Sequence, residues 1–221
     1  MGLYAIGDIH GYHQPLDALA QKLAFNSNDT IVTIGDYVDR GPQSKQVIDF
    51  LISLSKRSNL IPLRGNHEVM MLQARESLTG YKDWLACGGM ETLESYLSEN
   101  LQGISNEHWE FLSDTLPYYE TEKNFFVHAN AYADHLLDEQ PDYMLYWEKF
   151  DYQPPHRSGK RMICGHTPQK NGVPLDIGHA VCLDTWVYNP AGWLTCLDVN
   201  TGAYWQANQE GKLREAMLET A

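Results

Sequence analysis

Three apolar runs in the first third of the chain each stop at a cluster of polar side chains. Leu3 to Gly7 is followed by Asp8 and His10, Thr30 to Gly35 by Asp36, Asp39 and Arg40, and Leu60 to Leu63 by Arg64, Asn66, His67 and Glu68. Asp8 and His10 alternate across one residue, so a locally extended backbone can aim both at one cation. The same residue types near a turn also serve as hydrogen-bonded loop formers, and Asp36, Asp39 and Arg40 can equally make a salt-bridged turn. Gly35 and Gly41 permit the close backbone approach of a crowded polar turn. Read with the first cluster, Asp36 becomes a candidate bridging carboxylate, since each of its oxygens can reach one of two adjacent ions. Two metals about 3.5 to 4 Å apart polarise a phosphoryl oxygen and generate hydroxide from a shared water.

Such clusters need elements to carry them. Leu3 to Gly7 suits a short buried strand, and Pro15 opens a stretch with Leu16, Leu19, Ala20 and Leu23 at helical spacing. The unit repeats with the β-branched run Thr30 to Gly35, then Pro42 and the apolar positions Val47, Ile48, Leu51, Ile52 and Leu54. A third strand is expected at Leu60 to Leu63. This alternation predicts a substantially parallel sheet with functional groups beyond the carboxyl ends of its strands. Residues 67–116 read as mainly helical, either an insertion over or beside the sheet or an ordinary crossover of unusual length, punctuated by Cys87-Gly88-Gly89.

Strand character returns at Asn124 to His128, Arg161 to Gly165, Ala180 to Asp184, Trp193 to Val199 and Ala203 to Gln206. Short spacing around Asn189-Pro190 and Asn200-Thr201-Gly202 predicts antiparallel hairpins, and with them a second sheet from the second half packed on the first. The fold class is α/β (α+β), expected as one domain over 1–221. Tyr143, Tyr146, Trp147, Phe150 and Tyr152 read as packing rather than as a nucleobase platform.

At 221 residues with 43% hydrophobic and 20% charged residues, the chain suits a globular protein with a substantial core. No apolar run approaches the length of a membrane helix, about eighteen residues. The N-terminus lacks a secretory pattern, which makes the cytoplasm the expected location. The four cysteines form no CxxC pair and read as buried free thiols. A net charge of −13 excludes a broad nucleic-acid or membrane surface and suits divalent metal binding in an acidic cleft.

The three motifs GDIHG (7–11), GDYVDRG (35–41) and RGNHE (64–68), in that order, resemble the metallophosphatases of the phosphoprotein phosphatase family. Val127-His128-Ala129 and Gly165-His166-Thr167 are similar to the last two ligand motifs of its bacterial and phage members, the serine/threonine phosphatases. The resemblance implies a calcineurin-like metallophosphoesterase sandwich of two mixed β-sheets flanked by helices. It implies that Asp8, His10 and Asp36 hold one metal and that Asp36, Asn66, His128 and His166 hold the other. Mixed oxygen and imidazole ligands suit manganese, iron or zinc better than calcium, and manganese is the expected ion. The resemblance further makes His67 the acid that protonates the leaving oxygen, oriented by Asp39, and makes Arg40 and Arg64 phosphate clamps. Lys149, after Trp147, stands where the family has another phosphate-binding arginine. Asn130 and Trp186 replace glycines that are usual in the family, and both are expected near the cleft. His13, His108, His135, His156 and His179 match no motif.

The expected activity is phosphoric monoester hydrolysis, with a phosphoprotein or a small phosphorylated molecule as partner. Retention of Asp39 and Glu68 favours a serine/threonine protein phosphatase over the alternative, a symmetrical dinucleoside tetraphosphate hydrolase. A reading of a different class is a catalytically silent phosphoprotein-binding module.

Overall fold

In the computed structural model, which describes residues 2–220, the three polar-ended strands lie side by side and parallel. Strand β1 (Leu3–Ile6) is central, β2 (Thr30–Thr33) flanks it, and β3 (Asn59–Pro62) forms the edge. Helices α1 (His13–Leu23) and α2 (Ser44–Ser55) make the two crossovers. The apolar spacing of α2 buries Val47, Ile48, Leu51 and Leu54, which fixes the face that it turns to the sheet.

Between β3 and the next strand the chain is helical, as its periodicity predicts. Helix α3 (Asn66–Gln73) begins inside the third polar cluster. Helix α4 (Leu78–Trp84) continues through a π-helical turn at Leu85–Gly89 into α5 (Met90–Ser95), and α6 (Asn106–Ser113) follows. Trp84, Leu93, Trp109 and Leu112 from these helices join Leu16, Leu19, Val47 and Leu51 in one apolar cluster on the outer face of the first sheet.

The second sheet starts with β4 (Tyr118–Glu120) and β5 (Asn124–Val127), followed after α7 (Asp142–Tyr146) by β6 (Arg161–Cys164), β7 (Leu175–Asp176) and β8 (Ala180–Cys182). Strands β5, β6 and β8 are mutually parallel. Successive side chains go to opposite faces. Phe126, Ile163 and Val181 pack against Ala5, Val32 and Ile34 of the first sheet, while Phe125, Val127, Met162 and Cys164 face α7. The central strands of both sheets are therefore covered on both faces, which is why they read as largely apolar runs.

The hairpin expected around Asn200 is present, between β9 (Leu194–Asp198) and β10 (Ala203–Ala207), but it does not lie in the second sheet. After β8 the chain crosses back, and β9 pairs antiparallel with β1, with Ala5 opposite Leu197. The reason is burial on two faces: Cys196 enters the helix-side cluster and Leu197 the inter-sheet cluster, and only a place beside β1 covers both. A further strand, β11 (Leu213–Met217), extends that edge and is exposed along its whole length. Nothing in its residue types announced a strand.

Cys164, Cys182 and Cys196 are buried and Cys87 is exposed, all of them free. Among the described residues no helix is long and apolar enough to cross a membrane. Tyr146 and Phe150 are core residues, as expected of the aromatic stretch, whereas Tyr143, Trp147 and Tyr152 are exposed.

The position of β9 gives a direct test. Leu197→Ala removes a fully buried side chain between the sheets and should cost about 2 to 5 kcal/mol in denaturant unfolding. Met217→Ala on the exposed β11 should change stability by no more than about 0.5 kcal/mol.

Candidate metal and phosphate site

Every parallel strand named so far ends at one edge of the sandwich, and a polar residue follows within four positions of its end. Asp8 follows β1, Asp36 follows β2, Asn66 follows β3, His128 follows β5, His166 follows β6 and Asp184 follows β8. The turns that carry them are strained. Of the eight non-glycine residues with left-handed φ among the described residues, His10, Asp36, Asp39, Arg40, His166 and Trp186 belong to these turns or the loop after β8. Such backbone persists where surrounding contacts over-determine it.

Asp36 is the meeting point. Its Oδ2 lies 3.4 Å from His10 Nε2 and its Oδ1 3.4 Å from His128 Nε2. Asn66 Oδ1 lies 3.0 Å from both His128 Nε2 and His166 Nδ1. Each of these imidazoles is oriented by its other nitrogen: His10 Nδ1 donates to Val38 O, His128 Nδ1 to Ile34 O and His166 Nε2 to Trp147 O. The inward nitrogens therefore present lone pairs to carboxylate and amide oxygens, a donor set that a divalent cation satisfies. Close approach needs glycine. A Cβ on Gly65 would strike the Asp36 carboxylate, and one on Gly165 would strike that of Asp8.

The electrostatics agree with a cation. Asp8, Asp36, Glu68 and Asp184 are all buried, and uncompensated buried charges are costly. Burial, with Asp184 and Asp36 nearby, pushes the Asp8 carboxyl well above its usual range, and burial raises Glu68 and Asp184 to about 7. Burial would raise Asp36 too, but the surrounding imidazoles outweigh it and hold that carboxyl low. Burial keeps the imidazoles of His10 and His128 below the ordinary histidine value, and burial together with His128 lowers His166 to about 4. Neutral imidazole is the form that binds metal. The residues present thus fit divalent metal.

His67 is set apart. Its Nδ1 is 2.7 Å from Asp39 Oδ2, and although burial disfavours its charge, Asp36 and Asp39 outweigh that and raise its pKa. Its Nε2 is buried without a hydrogen-bond partner and lies 4.0 Å from Asp36 Oδ2. A protonated imidazole with one free N–H aimed at the cluster can donate a proton there.

The remaining expected residues are distributed less evenly. Asp8 accepts the His166 main-chain N–H with both oxygens, at 3.2 and 3.0 Å, rather than sharing one close group with His10. Arg40 donates Nη1 to His10 Nε2 at 2.7 Å and lies over the Tyr188 ring, 4.4 Å from its centroid. Arg64 is drawn outward, donating Nε to Thr115 Oγ1 and Nη2 to Ser113 O at the edge of a cleft of about 860 Å³. Lys149 is exposed and tied to the site only through its main chain, where its carbonyl accepts Asn130 Nδ2. Asn130 is therefore an internal brace. Trp186 donates its main-chain N–H to Asp184 Oδ1, and its ring meets that of Tyr188 edge-on at 6.3 Å.

Asp184 and Tyr188 are site residues that the sequence reading did not single out. Asp184 had a signal, an acid directly after an apolar run, as Asp8 has. Tyr188 had none, because only the crossing loop between β8 and β9 brings it within 5.0 Å of the His10 ring. His108, left without a role, joins Tyr96 and Asp49 in a chain of hydrogen bonds between α2 and the later helices.

Comparison with known proteins adds the following. The model of the calcineurin-like phosphoesterase family matches residues 1–194. The symmetrical bis(5'-nucleosyl)-tetraphosphatase of Pseudomonas syringae pv. syringae strain B728a is 33% identical over 133 residues, 58% of this chain and 42% of that protein. Serine/threonine-protein phosphatase 2 of Escherichia coli strain K12 is 38% identical over 88 residues, 39% of this chain and 38% of that protein. The crystal structure of a candidate diadenosine tetraphosphatase has the same fold, with a TM-score of 0.69 at 19% identity, covering 100% of this chain and 95% of the other. The chain spans less than half the length of the curated relatives it matches.

Glu68 is the internal clasp of the site. Its Oε2 accepts the N–H groups of Asp36 and Gly65 at 2.8 and 2.9 Å, and its Oε1 accepts that of Tyr37 at 2.8 Å. An amide cannot accept at both ends. Glu68→Gln should therefore lower stability by about 1 to 3 kcal/mol, measured by denaturant unfolding of the metal-free protein.

Proposed function

The chain belongs to the calcineurin-like phosphoesterase family, and from that premise we propose that it is a dinuclear metal-dependent hydrolase of symmetrical dinucleoside tetraphosphates. The observation that carries the substrate is the relationship to the Pseudomonas tetraphosphatase, which extends over 133 residues against 88 for the Escherichia coli protein phosphatase. This reverses the preference drawn from the motifs alone. Asp39 and Glu68 suggested a protein phosphatase, but Glu68 binds three main-chain N–H groups and Asp39 orients His67. Any phosphoryl substrate needs those services. Serine/threonine protein phosphatase is the second reading, supported by the Escherichia coli relative.

In this reading Asp8, His10 and Asp36 hold one ion, and Asp36, Asn66, His128 and His166 hold the other. Manganese is the expected metal, with iron or zinc compatible with the same ligands. When bound, the two ions supply Lewis acidity and the nucleophilic water. The rest falls to the chain. His67 delivers a proton from Nε2 to the leaving oxygen while Asp39 holds the ring from Nδ1. Arg40 sits nearest the cluster and, braced by Tyr188, binds the phosphoryl oxygens as their charge shifts. Arg64 has Nε and Nη2 engaged with Ser113 and Thr115, which leaves Nη1 for substrate. Lys149, exposed in the segment whose Trp147 carbonyl accepts from His166, suits a phosphate farther along a polyphosphate chain, as a point charge rather than a fork.

Two measurements test this. With added Mn2+, kcat/KM for diadenosine tetraphosphate should exceed that for a phosphothreonine peptide by about tenfold or more; the opposite preference would install the second reading. His67→Asn should lower kcat on phenyl phosphate by about 10² to 10⁴ with unchanged manganese content by elemental analysis. Near-normal turnover by that variant would remove His67 from its role.

A further inference from the structure

The helices between β3 and β4 reach into the site. Asp39 has no solvent exposure, and its carboxylate meets donors from three elements. His67 Nδ1 lies 2.7 Å from Oδ2, Thr92 Oγ1 donates to Oδ1 at 2.7 Å, and Trp84 Nε1 is 3.0 Å from both oxygens. The Thr92 hydroxyl oxygen also accepts the Asp39 main-chain N–H at 2.8 Å. The next residue, Arg40, donates its N–H to Gly88 O at 3.1 Å.

Trp84, Gly88 and Thr92 belong to one stretch, where α4 passes through the π-helical turn into α5. In a straight α-helix, residues eight apart are separated by about 12 Å along the axis and about 80° around it. Here both side chains meet one carboxylate. The turn makes this geometry, with Gly88 at a φ of 110° and so close that a Cβ would lie 2.8 Å from Arg40 N. A π-turn inside an α-helix often marks a functional position. Asp39 and Arg40, at φ 72° and 69°, are held in left-handed backbone by these contacts.

We propose that Trp84 and Thr92 are positioning residues for the proton donor: by fixing both oxygens of Asp39 they fix the ring of His67, and with it the direction of Nε2. The inference rests on the reading of His67 as that donor. The carboxylate torsion is broad and roughly two-fold, so an Asp39 bonded to His67 alone would swing and carry the imidazole with it. Charge-assisted bonds from Thr92 and Trp84 prevent this.

The test exploits the leaving group. Nitrophenolate departs without a proton, whereas the more basic phenolate depends on one, so misdirection of the donor slows phenyl phosphate more than p-nitrophenyl phosphate. Thr92→Val keeps the shape and loses the hydroxyl; Ser44 Oγ, 3.2 Å from Asp39 N, still accepts that N–H. With Mn2+ present, Thr92→Val should lower kcat on phenyl phosphate by about tenfold and on p-nitrophenyl phosphate by no more than about twofold. Thr92→Ser, which keeps the hydroxyl, should restore phenyl phosphate turnover. Trp84→Phe should show the same split as Thr92→Val, and it carries the test should that variant not fold. Equal slowing of both substrates, or equal impairment by Ser and Val, overturns the proposal. His67→Asn is the control: if it shows no dependence on the leaving group, the donor assignment itself fails, whereas a dependence in His67→Asn that is missing in Thr92→Val and Trp84→Phe defeats the positioning role alone.

Discussion

The carboxylate of Asp36, 2% exposed and turned inward by a left-handed backbone at φ 51°, is the constraint around which the molecule is arranged. One oxygen faces His10 from the first sheet and the other faces His128 from the second. Its carbonyl accepts the N–H groups of Ile9 and His10, its own N–H is donated to Glu68, and Oδ1 accepts the N–H of His67 at the start of α3. Moving this one side chain would loosen both halves of the site. A buried anion is costly by itself; the His67 N–H and the surrounding imidazoles offset part of that cost, and cations between the ligands would offset more.

The two sheets exist in a form that serves this point. Their parallel strands all end at the same edge, so short loops from six strands deliver polar groups to one place while the central strands stay buried on both faces. Parallel strands require crossovers, and the longest of these, α3 to α6, contributes to the site instead of merely covering the sheet. It brings Trp84, Gly88 and Thr92 against Asp39 and Arg40. Glu68, in the first turn of α3, locks the loops after β2 and β3 together.

Much of this was legible in the order of residues. Strands β1, β2, β5 and β6 are covered on both faces, so each appears as a largely apolar run, and each is followed within three residues by the polar residue that it positions. Pairings between distant segments were less legible. The β9–β10 hairpin followed from its turn residues, but the choice of sheet depended on which edge could bury Cys196 and Leu197 on opposite faces. Strand β11, with the sequence LREAM, has helix-forming residue types and becomes a strand because β10 offers an edge to pair with. Glu68 and Asp39 read as marks of a substrate class, and their contacts are with the protein itself.

What the sequence determined alone is a set of polar side chains and the places where strands deliver them. Asp8, His10, Asp36, Asn66, His67, His128 and His166 each sit at a transition from an apolar run to a polar loop, and that local pattern needs no partner to be read. The tertiary structure decided which atoms face one another. The tautomers of His10, His128 and His166 are set by main-chain carbonyls of Val38, Ile34 and Trp147, up to 94 residues away in sequence. Tyr188, Trp84 and Thr92 join the site for the same reason: hydrogen bonds and ring contacts between remote segments depend on packing, and no local spacing records it.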